Sequence, residues 1–397
     1  MKLLTLATGA ALAASVLASG VQAQAPRPAA PPLEPMPRVE PAVTVRTVGV
    51  RADAGPPPER WTDIGPETAE RAARLPVGWG HSGPSVLRVQ VLLSRAFFSP
   101  GMLDGRWGRN TQNAVLWLQG REGLPATGVV DSATYALLER LAGADSTVAE
   151  VALTEADVRG PFVRIPEDIY EHAKLRCSCF ESLAEKLSET FHARVELLAR
   201  LNPGVRLDSV AAGTLLRVPR VRPAEARAEG EVRQIVVSGA GNYLQALDGK
   251  GRILYHFAAT LGSTIDPSPD GDFTVRSVHP DPWWHYQPRL LARVPDDEPP
   301  AMIPPGPNNS VGRVWMALSV PHYGIHGTRS PETIGYAESA GCVRLTNWDA
   351  VFLGRRVAPG TPVAFRDTRR PPTPAAPSPP PPAADSAAAP PHPPPPR

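Results

Sequence analysis

Tyr323-Gly324-Ile325-His326-Gly327-Thr328, followed by Ser339-Ala340-Gly341-Cys342-Val343-Arg344-Leu345, sets one histidine and one cysteine sixteen positions apart among glycines. A free thiol has a pKa near 8.5 and is mostly protonated at neutral pH. Acyl-transfer chemistry therefore needs a neighbouring imidazole to take its proton. Gly341 lets the backbone approach a substrate closely, and N–H groups around Gly341 and Cys342 can face a developing oxyanion. Gly327 leaves its carbonyl accessible to fix the other imidazole nitrogen, the part an acidic side chain takes in other triads. Taken singly, Cys342 also fits a buried small hydrophobe and His326 a satisfied core histidine. On residue types alone both readings stand.

Around this stretch the chain reads as strands. Gln234–Ser238, Tyr243–Leu247 and Arg252–Ala258 alternate about an Asp248-Gly249 turn, as a hairpin requires. Val314–Ser319, Tyr323–His326 and Pro362–Phe365 follow, with one short helix over Asn347–Gly354. Residues 231–367 are thus read as one mainly β domain. Pro282-Trp283-Trp284-His285-Tyr286 and Pro304–Asn309 read as aromatic or Pro/Gly-rich loops, walls or a lid over a pocket.

This order resembles the L,D-transpeptidase (YkuD-type) catalytic domain, whose pattern is H-G-[TS] followed by S-x-G-C-[VI]-R. Gly262, Gly271, Phe273, Pro304–Asn309 and Tyr323-Gly324-Ile325 extend the likeness across roughly Gln234–Arg366. The resemblance implies that Cys342 is the nucleophile and His326 the general base, with Gly341 and Gly327 shaping the oxyanion loop. It also places Arg344, Ser339, Thr328 and Tyr323 at the substrate. Arg344 either holds a substrate carboxylate bidentately or buttresses the loop. Ala340 stands where many members have a second histidine, and His322 is near enough in sequence to supply that role. The implied reaction is attack on the carbonyl at the L-centre of the third, diamino residue of a peptidoglycan stem tetrapeptide. D-alanine leaves, and the thioester passes to a neighbouring stem amine as a 3→3 crosslink. Transfer to water would make an L,D-carboxypeptidase, and a non-catalytic wall-anchoring protein is the remaining alternative. Thioester chemistry needs no cofactor and no metal.

Upstream, residues 82–142 carry three short helical patterns, with Val86, Val89, Leu93 and Phe97 on one face, Ala114, Val115 and Leu118 on the next, and Tyr135, Leu138 and Leu141 on the third. Asn110 or Thr111 and Asp131 are the expected N-caps. The order Leu92-Leu93, Gly101, Asp104-Gly105, Trp107-Gly108, Thr111, Leu118-Gln119, Gly128, Asp131 and Thr134 is similar to the helical peptidoglycan-binding domain. Trp107 and Trp117 are either sugar-stacking platforms or core. Residues 165–222 resemble a degenerate LysM module, a small βααβ fold, through Ser182-Leu183-Ala184, Leu198, Leu201-Asn202, Gly213 and Val218-Pro219. Cys177-Ser178-Cys179 stands where that module usually starts with Gly-Asp-Thr. With His172 and His192 the pair lacks zinc-finger spacing, so an oxidised pair or two inert thiols is expected.

The fold class is accordingly multidomain α+β: a small three-helix domain, a βααβ LysM-like module and the mainly β catalytic domain. Residues 24–81 and 368–397 hold much of the 49 prolines and are expected to be tethers. Residues 1–23 read as a secretory signal peptide, with Lys2, the apolar run Leu3–Leu17 and a small-residue site before Gln24. A membrane anchor needs about 20 apolar residues. This run is shorter and broken by Thr5, Thr8, Gly9 and Ser15. The expectation is a periplasmic, wall-associated monomer without a transmembrane segment after cleavage, in an oxidising compartment. A formal charge of +2 over 397 residues carries no nucleic-acid footprint. The expected partners are peptidoglycan stem peptides and glycan strands. The two upstream modules are expected to raise local substrate concentration without touching the chemistry.

Overall fold

The computed structural model describes Trp61 and residues 74–368, apart from 144, 229, 292, 293 and 296. The stretch read as a signal peptide, most of the first tether and the C-terminal tail beyond residue 368 lie outside the described residues. Three helices form first. α1 (Pro84–Arg95) begins on a proline, whose missing N–H is harmless at a helix start, and buries Val86, Val89, Leu92 and Leu93. β1 (Phe98–Ser99) and α2 (Arg109–Arg121) follow. α3 (Ser132–Ala142) is capped as expected, Asp131 accepting the Thr134 N–H at 2.8 Å. The cap position of α2 is Gly108, whereas Asn110 lies inside the helix and donates to the Ile334 carbonyl at 2.8 Å. Phe97 also departs from expectation: the chain leaves α1 at Ala96, and Phe97 takes a φ of 69°. Its ring then packs 5.4 Å from that of Tyr255 and 6.2 Å from that of Phe352. The packed structure starts before residue 82, because Val77 is buried and exchanges two backbone bonds with Val130. Trp107 is buried, and Trp117 meets the Tyr243 ring edge-on, so both serve packing.

In the middle unit β2 (Val148–Ala152) pairs antiparallel with a later strand, and between them lie α4 (Glu155–Val158), α5 (Ile169–Ala173), α6 (Leu183–Thr190) and α7 (Val195–Leu201). That later strand is β3 (Leu215–Pro219). The first strand therefore lies upstream of residue 165, and α4 and α5 are interposed before the helix pair. Of the five β2 residues only Val148 is buried, which is why no period-2 signal marks it.

The third region supplies β4 (Gln234–Ser238), β5 (Tyr243–Leu247), β6 (Ile253–Ala258), β7 (Gly271–Pro280), β8 (Trp284–Tyr286), β9 (Ala301–Ile303), β10 (Val314–Leu318), β11 (Gly324–His326), β12 (Val343–Arg344), α8 (Asn347–Gly354) and β13 (Pro362–Arg366). Nine strands form one sheet in the order β1-β6-β5-β4-β13-β7-β10-β11-β12. Ala350, Phe352 and Leu353 of α8 pack into its main core. β8, inside the Pro282–Tyr286 stretch read as a loop, forms a separate antiparallel pair with β9.

The three units are joined by more than tethers. β1 extends the sheet by pairing in parallel with β6, Phe98 against His256 and Ser99 against Phe257. Leu247 and Ile253 share a core with the three helices, while Leu87, Val91 and Leu103 share one with the middle unit. Asp349 of α8 pairs with Arg222 at 3.2 Å, both side chains at most 3% exposed, and accepts the Ser99 hydroxyl at 2.7 Å. The expectation of separately tethered modules gives way to one packed assembly. Among the described residues no helix is long and apolar enough to cross a membrane.

Candidate active site

β11 and β12 are parallel neighbours, Ile325 paired with Val343 and His326 with Arg344. Residues in register share a face and side chains alternate along each strand. Cys342, one residue before β12, therefore comes level with Gly324 and projects to the face that carries His326 and Arg344. On the other side of β11, Trp315 of β10 pairs with His326, and the two rings stack at 5.4 Å. Gly324 makes room for that indole, since a Cβ there would lie 2.6 Å from Trp315 Cζ2.

His326 is 4% exposed, and its Nδ1–H donates to the Gly327 carbonyl at 2.7 Å. A carbonyl accepts only, so Nδ1 carries the proton and Nε2 keeps its lone pair. Burial pulls the imidazole down to about 3, the Arg344 charge adding to this and the Gly327 bond opposing it. The half-buried Cys342 thiol donates to the His322 carbonyl at 3.6 Å. Burial pushes it up to about 11, against the pull of a Gly324 backbone hydrogen bond and the Arg344 charge. At rest the thiol and the imidazole are therefore both neutral, on one face of the paired strands.

The loop under Cys342 is tightly held. Gly341 has φ 95°, and a Cβ there would sit 2.7 Å from the Tyr323 ring. Its carbonyl accepts the Ser268 hydroxyl at 2.7 Å, and Ser268 Oγ accepts the Gly262 N–H at 2.9 Å. Ser339, expected at the substrate, is buried and donates to the Cys342 carbonyl at 2.6 Å. Thr328, expected there too, is also buried, its hydroxyl accepting the Ser330 N–H at 3.1 Å. Both thus brace the backbone. Tyr323 is half-buried with its hydroxyl 3.4 Å from the Pro267 carbonyl. Arg344 exchanges backbone bonds with Thr260, and its buried Nε has no partner among the described residues. His322 is exposed, and its carbonyl is what reaches the thiol.

Trp315, Ser268 and Asn347 were not singled out by sequence. Asn347 Oδ1 accepts the Thr328 and Arg313 N–H groups, each at 3.1 Å. In sequence it opens a helix behind Thr346, where a polar residue reads as a cap. The Pro304–Asn309 loop is clamped by the middle unit. Cys177 and Cys179 form a disulfide, and between them Ser178 bonds Pro304 O through its hydroxyl at 2.6 Å and Pro305 O through its N–H at 2.9 Å. His172 Nε2 lies 2.8 Å from the same hydroxyl. A cleft of about 700 Å³ opens beside this loop, lined by Arg164, Glu167 and Glu181 on one side and Asn308, Arg329 and Ser330 on the other.

Residues 232–364 match the L,D-transpeptidase catalytic domain (YkuD), and residues 82–138 match the putative peptidoglycan binding domain. The putative L,D-transpeptidase YqjB of Bacillus subtilis is 30% identical over 142 residues, which cover 34% of this chain and 72% of that protein. This chain belongs to the YkuD family of L,D-transpeptidases. A second member, the putative L,D-transpeptidase YkuD of Bacillus licheniformis, is 28% identical over 180 residues, covering 45% of this chain and 91% of that protein. Among solved structures, the L,D-transpeptidase of Xylanimonas cellulosilytica (residues 123-326) is similar with a TM-score of 0.33 and 17% identity, over 75% of this chain and 100% of that one. The YkuD match takes in both His326 and Cys342. The middle unit falls between the two family matches.

Proposed function

We propose that this YkuD-family chain is a peptidoglycan L,D-transpeptidase in which Cys342 is the nucleophile and His326 its base. The observation that carries the reading is the Nδ1–H bond to Gly327, which leaves Nε2 as a lone-pair acceptor on the face of the thiol. In the donor step Sγ attacks the carbonyl at the L-centre of the third, diamino residue of a stem tetrapeptide. Nε2 takes the thiol proton and returns it to the departing D-alanine amine, leaving a thioester on Cys342. A neighbouring stem amine then attacks, giving a 3→3 crosslink and freeing the thiol. N–H groups of the Gly341–Cys342 turn face the tetrahedral oxyanion, and Arg344 adds positive charge beside the developing thiolate. The helical unit binds wall glycan, a signal peptide delivers the chain to the periplasm, and the middle unit is a degenerate relative of LysM. The product supports wall biogenesis and cell shape.

The test is mass spectrometry of disaccharide tetrapeptide incubated with the full chain. Wild type is expected to release D-alanine and form a crosslinked dimer, and Cys342→Ala to do neither while keeping its melting curve. D-alanine release by the Cys342→Ala protein would remove the thiol from the mechanism. Monomeric tripeptide alone would select the carboxypeptidase reading.

A further inference from the structure

The peptide unit between Gly327 and Thr328 is held from both ends. Its carbonyl, on Gly327, takes the His326 Nδ1–H at 2.7 Å, and its N–H, on Thr328, is taken by Asn347 Oδ1 at 3.1 Å. Because a peptide unit is planar, whatever fixes the N–H also aims the carbonyl. The grip is close: a Cβ on Gly327 or Gly312 would lie 2.2 or 2.1 Å from that same oxygen.

An Asn amide can be turned either way, and its neighbours decide which. Two backbone N–H groups, of Thr328 and Arg313, face one end and can only donate. The Pro307 carbonyl at 3.1 Å and Glu189 Oε2 at 3.0 Å face the other. Pro307 belongs to the clamped loop, so its carbonyl moves with that loop. Glu189 is the side-chain acceptor that keeps the amino end turned away from the histidine. It sits in the last turn of α6, outside the YkuD match, and α6 is anchored by Leu183 and Leu187 in the core shared with the helical domain. His192, just beyond, stacks on Trp348 at 4.5 Å and fixes α8 against the same unit.

We propose that Glu189 is a positioning residue for His326, acting through Asn347 and the Gly327–Thr328 peptide, so that the middle unit completes the base of the catalytic pair. This rests on the assignment of His326 as base. If Glu189 is lost, the Asn347 amino group keeps only the loop carbonyl of Pro307, the Asn347 oxygen is held less firmly against the Thr328 N–H, and the Gly327 carbonyl no longer fixes the Nδ1 proton. The imidazole then divides between tautomers, and only one of them can accept from the thiol.

The tautomer is read directly in the resting full chain by ¹⁵N spectra of histidine-labelled protein, with His326 identified by its disappearance in His326→Gln. Wild type is expected to show a single Nδ1–H tautomer. Glu189→Leu is expected to show a tautomer mixture and a kcat for D-alanine release lowered about tenfold or more, with KM nearly unchanged. Glu189→Gln, which keeps an accepting oxygen, is expected to restore both. Should Glu189→Leu not fold, Glu189→Ser, too short to reach Asn347, carries the same expectation. A folded Leu or Ser variant with the wild-type tautomer and kcat would overturn the proposal, as would a Gln variant as impaired as Leu. A wild-type chain with the Nδ1–H tautomer but no D-alanine release would instead overturn the functional reading and leave the network standing.

Discussion

A thiol pushed up to about 11 beside an imidazole pulled down to about 3 cannot rest as an ion pair. At neutral pH both are uncharged, so the proposed proton transfer waits for the electrophile. Two pH dependences follow from the signs. Alkylation by iodoacetamide needs thiolate, so its rate on Cys342 is expected to climb about tenfold per pH unit from 7 to 10. A plateau between pH 6 and 8 would reveal a preformed thiolate and contradict this. The imidazole stays neutral well below its ordinary 6.5, so D-alanine release should show no acid limb between pH 7 and 5. A fall centred near 6.5 would contradict it. His326→Gln is expected to slow acylation by about 10²–10⁴-fold, and rates at the wild-type level would remove the residue from the mechanism.

Among the elements, the clamp on the Pro304–Asn309 loop concentrates many contacts in few residues. Asn308 Nδ2 donates to the Cys179 carbonyl at 2.9 Å and to Glu185 Oε1 at 2.7 Å, while its N–H meets the Ser178 carbonyl at 2.9 Å. Gly306 lets the two segments touch: φ is 145°, and a Cβ would lie 2.2 Å from the Ser178 carbonyl oxygen. Gly306→Ala is therefore expected to force the loop off the middle unit, costing about 1–3 kcal/mol, read as a lower denaturant midpoint. It should also raise KM for tetrapeptide, because the loop is read from the sequence as a wall of the donor site. An unchanged midpoint and KM would show that the loop does not need this contact.

In the whole molecule, a truncated chain beginning near Ala224 would lose β1 from the sheet edge and leave Asp349 buried without Arg222. Removing one partner of a buried pair costs about 3–5 kcal/mol. The pockets filled by Phe97 and Phe98 would open as well. That truncation is expected to melt at lower temperature and to lose turnover even on soluble tetrapeptide fragments, in contrast to what freely tethered modules would do. Full turnover by the truncated chain would restore the modular view.

The chain's own order carried the strands and the reactive pair. Gln234–Ser238, Tyr243–Leu247 and the helix Asn347–Gly354 form over the residues that their patterning marks, because apolar residues bounded by turn residues or a cap mark a buried element. That His326 and Cys342 share a face and that the Gly327 carbonyl takes the Nδ1 proton agrees with what the motif's likeness to the YkuD pattern implied. β7 was not legible. It is the longest strand and lies inside the sheet, yet only Val275 of its ten residues is buried, so no alternation marks it. β1 and β12, two residues each, are too short for any period. Glu189, Asn347 and Trp315 lie far from His326 in sequence or carry ordinary helix and strand identities. Their relation to the histidine exists only after β10, β11, α6 and α8 have packed together. Local pattern determined which residues could do chemistry and most of the strands that hold them. Tertiary packing decided which neighbours orient the histidine, and it fused the three units, since contacts between distant segments depend on matched surfaces that no single stretch of sequence contains.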